Sequence, residues 1–113
     1  MDKHRVAIII PALNEAATIQ GIVEVAGQHG VPVVVDDGSV DRTADLARQA
    51  GARVVVHDQN RGYDAALESG FRKAAELGCQ VVITLDADGQ HDPALIQQFI
   101  DRIDAGADVV GGV

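Results

Sequence analysis

The chain has 113 residues, a length typical of one small domain or of part of a larger one. Apolar residues make up 47% of the sequence and charged residues 23%, as in ordinary globular proteins that bury a core. The net charge of −8, an aromatic content of 3% and the lack of tryptophan argue against a surface that binds nucleic acid or an anionic membrane. A ligand that carries phosphate is still compatible with this charge, provided that a metal ion bridges the negative groups.

Short apolar runs alternate with segments of helical periodicity along the chain. The runs predict strands at residues 6–10, 31–35, 53–56 and 81–85, and the beginning of a fifth at 108–110. Pro11 is expected to end the first strand. The predicted helices begin near Asn14, after a cap at Ser39 or Asp41, after the loop at 60–64, and at Pro93, and each ends at a glycine.

This alternation predicts an α/β, Rossmann-like fold with a mostly parallel sheet and helices on both faces. Because the last predicted strand has barely begun at the final residue, we expect a single domain over residues 1–113 that is truncated at its C-terminus. The incomplete sheet edge would favour self-association into a homo-oligomer.

The remaining global features predict a cytoplasmic protein. The single cysteine, Cys79, cannot form an internal disulfide, and its place at the start of a strand favours a core residue over a nucleophile. No signal peptide is apparent, and no apolar stretch is long enough to span a bilayer.

Polar clusters follow three of the predicted strands, at residues 11–15, 36–41 and 86–92. In parallel sheets of this kind, ligands bind beyond the carboxyl ends of the strands, so the three clusters are expected to converge on one site. The first cluster contains no Gly-x-Gly-x-x-Gly motif, which makes hydride transfer with a nicotinamide cofactor improbable.

Asp86 and Asp88 are the strongest candidates for chemistry. Alternate residues of an extended segment face the same way, so both carboxylates can reach one cation. Mg²⁺ takes one or two carboxylates together with waters and phosphate oxygens, and Gln90 could add a neutral oxygen. Asp92 is better interpreted as a helix cap, and His91 is a candidate positioning residue beside the acidic pair.

The second cluster has a simpler explanation for most of its residues. A turn with a helix cap accounts for Gly38, Ser39 and Asp41, but less well for two successive acids, Asp36 and Asp37. A carboxylate at such a strand end can accept a hydrogen bond from a ring N–H or a ribose hydroxyl. The other histidines, at positions 4, 29 and 57, show no ligand spacing and are predicted to lie on the surface.

Four ordered motifs resemble those of the family 2 glycosyltransferases, which are inverting enzymes of the GT-A fold. The motifs are Pro-Ala-Leu-Asn-Glu at 11–15, Asp-Asp-Gly-Ser-x-Asp at 36–41, Asn-x-Gly at 60–62 and Asp-x-Asp-Gly-Gln-His-x-Pro at 86–93. The last motif is most similar to the branch typified by dolichyl-phosphate mannosyltransferase and bacterial polyprenyl-phosphate glycosyltransferases. The resemblance covers essentially the whole chain and implies the donor-binding half of the family's domain.

The resemblance implies a nucleotide-diphospho-sugar donor, linked to GDP or UDP, and a lipid phosphate or a sugar hydroxyl as the acceptor. It implies that the donor contacts Pro11, Ala12, Asn14, Glu15, Asp37, Asp86, Ala87 and Asp88. Asp37 would contact the base, while Asp86, Asp88 and Gln90 would hold Mg²⁺ or Mn²⁺ on the diphosphate. No catalytic base is identifiable in this stretch. A lipid phosphate acceptor would need none, and for a sugar hydroxyl the resemblance implies a carboxylate base later in the chain. A longer protein would work at the cytoplasmic face of the membrane.

One position departs from the family pattern. The family loop usually reads Asn-x-Gly-x-Gly, whereas Asp64 replaces the second glycine. An acid there would add negative charge near the diphosphate and would be strained in a conformation that requires glycine. Alternatively, Asp64 caps the third helix.

Three other interpretations are open. A catalytically silent nucleotide-binding module would share the same donor site without turnover. A haloacid-dehalogenase-type phosphatase also has an Asp-x-Asp-Gly run, but after its first strand rather than its fourth. A receiver-type signalling domain would need its acidic pair after the first strand and a lysine after the fifth, and this chain has neither.

Overall fold

The computed structural model describes residues 3–87, 98, 101 and 111–112. A 3₁₀ turn at Lys3–Arg5 leads into the first strand. The strands are β1 (Val6–Ala12), β2 (Val31–Asp36), β3 (Arg53–Val56), β4 (Val81–Thr84) and β5 (Gly111–Gly112), and the helices are α1 (Ile19–Gly27), α2 (Thr43–Gln49) and α3 (Tyr63–Glu76). The strands form one sheet in the order β3-β2-β1-β4-β5, with every pairing parallel. The predicted Rossmann-like α/β fold is confirmed.

Helices cover both faces of this sheet. Ile8 and Ile10 of β1 join the apolar cluster under α1 and α2, whereas Ala7 and Ile9 join the cluster under α3. All four side chains are fully buried. The central strand is therefore apolar at successive positions, because each of its faces is covered by a helix.

The order of the strands reverses direction at β1. The chain first adds β2 and β3 on one side of β1 and then crosses over to place β4 on the other side. In sheets of this type, the crevice beyond the carboxyl end of such a switch point is where ligands bind. The segments that follow β1, β2 and β4 begin the three predicted polar clusters, so the topology places the starts of these segments at the carboxyl end of the sheet.

Pro11 lies within β1 and does not end it, contrary to the prediction. Its partner across the ladder is Val35 of β2, and β1 continues to Ala12. The backbone O of Ile9 accepts a hydrogen bond from Leu85 N at 2.9 Å, so the backbone polar groups of Ile9 face β4. Because these groups alternate in direction along a strand, those of Pro11 face β4 as well. Because the pairing with β4 ends at Thr84, the missing N–H of Pro11 removes no ladder hydrogen bond.

The first helix begins later than predicted. Asn14 has a positive φ of 54°, and the regular helix starts only at Ile19. The intervening residues form a turn whose amides are used in contacts with the segment after β2. The helical spacing of Ala16 with the apolar residues of the helix did not distinguish this turn from the helix that follows it.

Predictions for the C-terminal part are tested only in part. The predicted helix from Pro93 and the strand start at 108–110 lie outside the described residues, apart from isolated positions, and the strand that is described is Gly111–Gly112. The truncated domain and the self-association at its edge stay predictions. Within the part of the chain that the structure describes, no helix is both long enough and apolar enough to cross a bilayer.

Gly70 sets the approach of α3 to the sheet. An added Cβ would overlap Ile9 Cγ2 and would lie 3.1 Å from Ile9 Cδ1. Because Ile9 is held in the core on all sides, we expect Gly70→Ala to lower the free energy of unfolding by about 1–3 kcal/mol, as overpacking does elsewhere. Urea denaturation followed by circular dichroism measures this change.

Gly21 provides a matched control for that substitution. It lies in the interior of α1, and an added Cβ would meet nothing within 4 Å. Gly21→Ala should therefore raise stability by roughly 0.5–1 kcal/mol through the helix propensity of alanine. Equal effects of the two substitutions would contradict the close contact between α3 and β1.

Candidate functional site

A narrow cleft opens beyond the carboxyl ends of β1 and β2, next to the first turn of α3. Its volume is about 230 Å³. The residues that line it are Pro11, Ala12, Leu13, Asp37, Asn60, Gly62, Tyr63 and Ala66. We call this the Asp37 cleft, because Asp37 is the one acid among the described lining residues. It includes three of the predicted donor-binding residues.

Asp37 is buried and its carboxylate is held by three hydrogen bonds. His57 Nδ1 lies 2.8 Å from Oδ1, and the backbone N–H of Arg61 donates to the same oxygen at 2.9 Å. The backbone N–H of Gly62 donates to Oδ2 at 2.9 Å. Since a carboxylate oxygen accepts about two hydrogen bonds, Oδ2 keeps capacity for a further donor. A ligand in the cleft can supply that donor.

The electrostatics of Asp37 favour the ionised form. Burial alone would raise the pKa of Asp37, but the hydrogen bonds from His57 and from the N–H groups of Arg61 and Gly62 outweigh it and lower the pKa. Asp37 is therefore a carboxylate at neutral pH, and it can only accept hydrogen bonds.

This lowered pKa predicts acid sensitivity of the fold. The unfolded chain takes up a proton at Asp37 near the ordinary value of 3.8 and the folded chain only at lower pH, so the stabilisation is complete above that value. It is lost as the pH falls through the folded pKa. The difference in free energy of unfolding between wild type and Asp37→Asn should shrink as the pH falls below 3.8. Urea titrations across this range measure it, and a difference that grows on acidification would contradict the sign.

His57 is buried, and the prediction of a surface residue was wrong. Only 6% of it is exposed. Its backbone N–H donates to Asp36 O at 2.9 Å, which continues the pairing of β2 and β3 by one residue beyond Val56. Because Val56 is exposed, the alternation of the strand turns the next side chain inward, toward Asp37. A lone histidine has no spacing signal, but its place directly after a strand at this sheet edge could have indicated the contact.

The two successive acids have different roles. Asp36 is also buried, and its Oδ1 accepts from the backbone N–H of Ser39 at 2.8 Å. This contact closes the turn that contains Gly38, whose φ is 85°. Asp36 therefore stabilises the turn, while Asp37 faces the cleft.

Asn14 connects the segment after β1 to the segment after β2. Its backbone N–H donates to Ser39 Oγ at 2.8 Å, and its side-chain Oδ1 accepts from Val40 N at 2.9 Å. These contacts explain why asparagine tolerates the positive φ at this position. Asn14 is not among the residues that line the Asp37 cleft, so its role toward a ligand stays a prediction.

Glu15 is part of the same contact between segments. Its backbone N–H donates to Thr43 Oγ1 at 2.9 Å, and the N–H of Ala16 donates to Asp41 Oδ2 at 3.2 Å. Asp41 Oδ1 accepts from Thr43 N at 3.0 Å, so Asp41 rather than Ser39 contacts the start of α2. The hydroxyl of Thr43 and the N–H groups of Thr43 and Ala16 together lower the pKa of Asp41.

Thr18 brings the first cluster to the third. Its hydroxyl lies 3.0 Å from Ala87 O and 3.3 Å from Glu15 Oε2. Ala87 is buried, whereas Asp86 beside it is exposed at the end of the strand segment. Ala87, the residue between the two predicted acids, therefore lies against the segment that follows β1.

The predicted metal ligands are described only in part. Asp88 and Gln90, like His91, lie outside the described residues. Among the residues with a described position, no group of three or more histidine, cysteine, aspartate or glutamate side chains could hold a metal ion. The donor type of the one described ligand is suitable, since an exposed carboxylate at Asp86 is a ligand that Mg²⁺ and Mn²⁺ prefer.

Asp64 lies in the first turn of α3 and is exposed. Gly62, the first glycine of the Asn-x-Gly-x-Gly loop, precedes the helix and has a positive φ of 95°. Asp64 itself has no positive φ, so the expected backbone strain does not arise. Neither does Asp64 cap the helix, but its charge is favourable near the helix N-terminus.

The sequence matches known proteins over nearly its whole length. A family model described as glycosyl transferase family 2 matches residues 7–113. A UDP-N-acetylglucosamine–dolichyl-phosphate N-acetylglucosaminyltransferase from Methanococcus voltae is 33% identical over 115 residues, covering 85% of this chain and 46% of that protein. An undecaprenyl-phosphate 4-deoxy-4-formamido-L-arabinose transferase from Pectobacterium carotovorum subsp. carotovorum is 35% identical, covering 99% of this chain and 37% of that protein.

Solved structures resemble the fold as well. Glucosyl-3-phosphoglycerate synthase from Mycobacterium tuberculosis, in complex with Mn²⁺, UDP and glucosyl-3-phosphoglycerate, superimposes with a TM-score of 0.70 at 28% identity. That match covers 87% of this chain and 39% of the other chain. The chain thus spans less than half the length of the relatives named here. The four motifs, the fold and these matches agree, and the chain belongs to glycosyl transferase family 2.

Proposed function

We propose that this chain is the donor-binding part of a glycosyltransferase and that the Asp37 cleft takes the base of a nucleotide-diphospho-sugar. The observation that carries the proposal is the Asp37 carboxylate, which is buried, ionised and fixed, with acceptor capacity left on Oδ2. Uracil and guanine both present a ring N–H at the edge that such an acceptor contacts. The named synthase that was solved with UDP and Mn²⁺ supports a nucleotide of this kind.

The lining of the cleft agrees with a nucleotide base, which has apolar ring faces and polar edges. Pro11, Ala12 and Leu13 form one wall, and Tyr63 with Ala66 contributes another part of the lining. Tyr63 is 53% exposed, so part of its ring is available to a ligand. Aromatic and small apolar residues around a few polar groups, here Asp37 and Asn60, are typical of pockets that orient a small molecule.

We further propose that Asp86, Asp88 and Gln90 hold Mg²⁺ or Mn²⁺ against the diphosphate. Their oxygen donors suit these hard cations. The bound cation would offset the charge of the diphosphate, which a chain with a net charge of −8 would otherwise repel. The hydrogen bond from the Thr18 hydroxyl to Ala87 O supports this arrangement, because it holds Ala87, the residue between the two predicted acids, against the segment that follows β1.

We propose that the reaction is inverting transfer of the sugar, as the family resemblance implies. An oxygen of the acceptor attacks the anomeric carbon from the face opposite the diphosphate. The new C–O bond forms as the bond to the diphosphate oxygen breaks, and the nucleoside diphosphate leaves with the electron pair. We propose a polyprenyl phosphate as the acceptor, because the relatives above are named for dolichyl-phosphate and undecaprenyl-phosphate. Such an acceptor is already an anion and needs no protein base, and a longer protein would meet it at the cytoplasmic face of the membrane.

A silent nucleotide-binding module is the second candidate. It is favoured by the coverage of the relatives named above, since the 113 residues match 46% or less of their length. Family membership makes the phosphatase and the receiver domain poor alternatives. Binding and turnover therefore have to be measured separately.

Calorimetry with UDP, GDP and their sugars, each with and without Mn²⁺, tests donor binding by the 113-residue chain. Binding of at least one of these nucleotides is expected. A coupled assay with polyprenyl phosphate then separates the two candidates, because the silent module would bind the nucleotide without releasing nucleoside diphosphate. Failure of every nucleotide to bind would contradict the proposed function.

A further inference from the structure

A chain of hydrogen bonds runs from α3 into the Asp37 cleft. Ser69 Oγ lies 2.8 Å from His57 Nε2, and His57 Nδ1 lies 2.8 Å from Asp37 Oδ1. His57 and Asp37 are 6% and 7% exposed, and Ser69 is half-buried. Neither His57 nor Ser69 lines the cleft among the described residues, so both reach a ligand only through Asp37.

The charge of Asp37 fixes the direction of its hydrogen bond with His57. An ionised carboxylate can only accept, so His57 Nδ1 must carry a proton and donate it toward Oδ1. In the neutral ring, Nε2 is then the acceptor, and the hydroxyl of Ser69 donates to it. Ser69 thereby selects the tautomer of His57 that Asp37 requires.

These contacts fix the rotation of the carboxylate. Oδ1 accepts from His57 and from the N–H of Arg61, which fills its capacity, while Oδ2 accepts from Gly62 N alone among the described donors. A rotation of the carboxylate would break all three hydrogen bonds together. The uncommitted acceptor site on Oδ2 is therefore held in one place.

We propose that His57 and Ser69 are positioning residues that aim this one acceptor site of Asp37 into the cleft, so that the cleft prefers a ring with an N–H at the contacting edge over a ring with an acceptor there. Uracil belongs to the first class, and cytosine, whose ring nitrogen at that edge is an acceptor, belongs to the second. The inference rests on the proposed binding of a nucleotide base in the Asp37 cleft. It adds two residues that no family motif named above contains.

The same three residue types also occur in serine hydrolases, but this geometry does not support nucleophilic chemistry. Ser69 lies in the interior of α3, where backbone N–H groups are used within the helix. Helix α3 therefore offers no free pair of N–H groups beside this hydroxyl to stabilise an oxyanion. The hydrogen-bonded chain orients a ligand-binding carboxylate instead.

The test measures the affinities of UDP and CDP in the presence of Mn²⁺ for wild type, His57→Leu, His57→Asn and Ser69→Ala. His57→Leu should weaken UDP binding by about tenfold, as expected for loss of a hydrogen bond to a charged group, and should reduce the preference for UDP over CDP. His57→Asn should recover most of the affinity, because its amide nitrogen can donate from near the position of Nδ1. Ser69→Ala should have a smaller effect in the same direction.

Two further measurements exclude a purely structural role. Imidazole ¹⁵N spectra should show the Nδ1–H tautomer of His57 in wild type, and the Nε2 signal should change in Ser69→Ala. His29→Leu, at the amino end of the sheet, is a control that should leave the UDP and CDP affinities unchanged. Thermal unfolding of each variant verifies that it is folded.

The outcomes separate this inference from the proposed function. Wild-type chain that binds none of UDP, GDP and their sugars would overturn the proposed function, and the positioning role with it. Wild-type chain that binds UDP, together with a folded His57→Leu of equal affinity and equal preference for UDP over CDP, would overturn the positioning role alone. The positioning role would also be overturned if folded His57→Asn recovers no affinity relative to His57→Leu, or if the spectra show the Nε2–H tautomer.

Discussion

Asp37→Asn is expected to weaken UDP binding by about 10- to 100-fold, which corresponds to the roughly 1.5–3 kcal/mol of a hydrogen bond to a charged group. The substitution keeps the size of the side chain but replaces one oxygen with an NH₂ group. If the NH₂ group takes the place of Oδ1, it faces the N–H groups of Arg61 and His57. If it takes the place of Oδ2, it faces the N–H of Gly62 and the ligand. Every orientation therefore places two donors against each other in a buried site.

The comparison of uridine with UDP sharpens this result. If Asp37 contacts the base, Asp37→Asn should weaken both ligands by the same factor, because neither the ribose nor the diphosphate takes part in the lost contact. Asp58→Asn is the matched control, since Asp58 is an exposed acid directly beside His57. Calorimetry gives all of these affinities, and unchanged uridine binding in Asp37→Asn would contradict the assignment of the cleft to the base.

The fold could be predicted from the sequence because its signals are local. The residues of β1 are apolar at successive positions, and a strand that is covered on both faces explains this pattern. Glycines and prolines mark the boundaries between the remaining elements. The errors occurred where a distant contact decides the local structure. Pro11 continues β1 because β4 is shorter than β1, and Asn14 takes a positive φ because Ser39 and Val40 bind it. Neither fact is encoded near the residue concerned.

The candidate site shows the same division. Position after a strand predicted that Pro11, Ala12 and Asp37 share one edge, and all three line the cleft. The contribution of α3 through Tyr63 and Ala66 could not be predicted, because it depends on how the helix packs across the sheet. The burial of His57 is of the same kind, since its partners are 20 and 12 residues away in the sequence. Side chains that orient a ligand-binding residue carry no motif of their own.

Asp86→Asn is expected to remove most of the dependence of UDP binding on Mn²⁺. In wild type, Mn²⁺ should strengthen UDP binding by about 100-fold or more, because without it the diphosphate meets an exposed carboxylate on a chain of net negative charge. In the variant, the cation loses a ligand but the diphosphate also loses a repelling charge. The affinity without metal should therefore stay equal or rise slightly, while the affinity with metal falls, so the ratio of the two approaches unity.

Two comparisons make this prediction specific to the metal. Uridine has no diphosphate, so its affinity should be the same in wild type and Asp86→Asn and should not respond to Mn²⁺. Asp64→Asn removes one exposed negative charge from the first turn of α3, near the same cleft, and should leave the response to Mn²⁺ intact. A response that falls equally in Asp64→Asn and Asp86→Asn would mean that overall charge, rather than a bound cation at the end of β4, controls the affinity for the diphosphate.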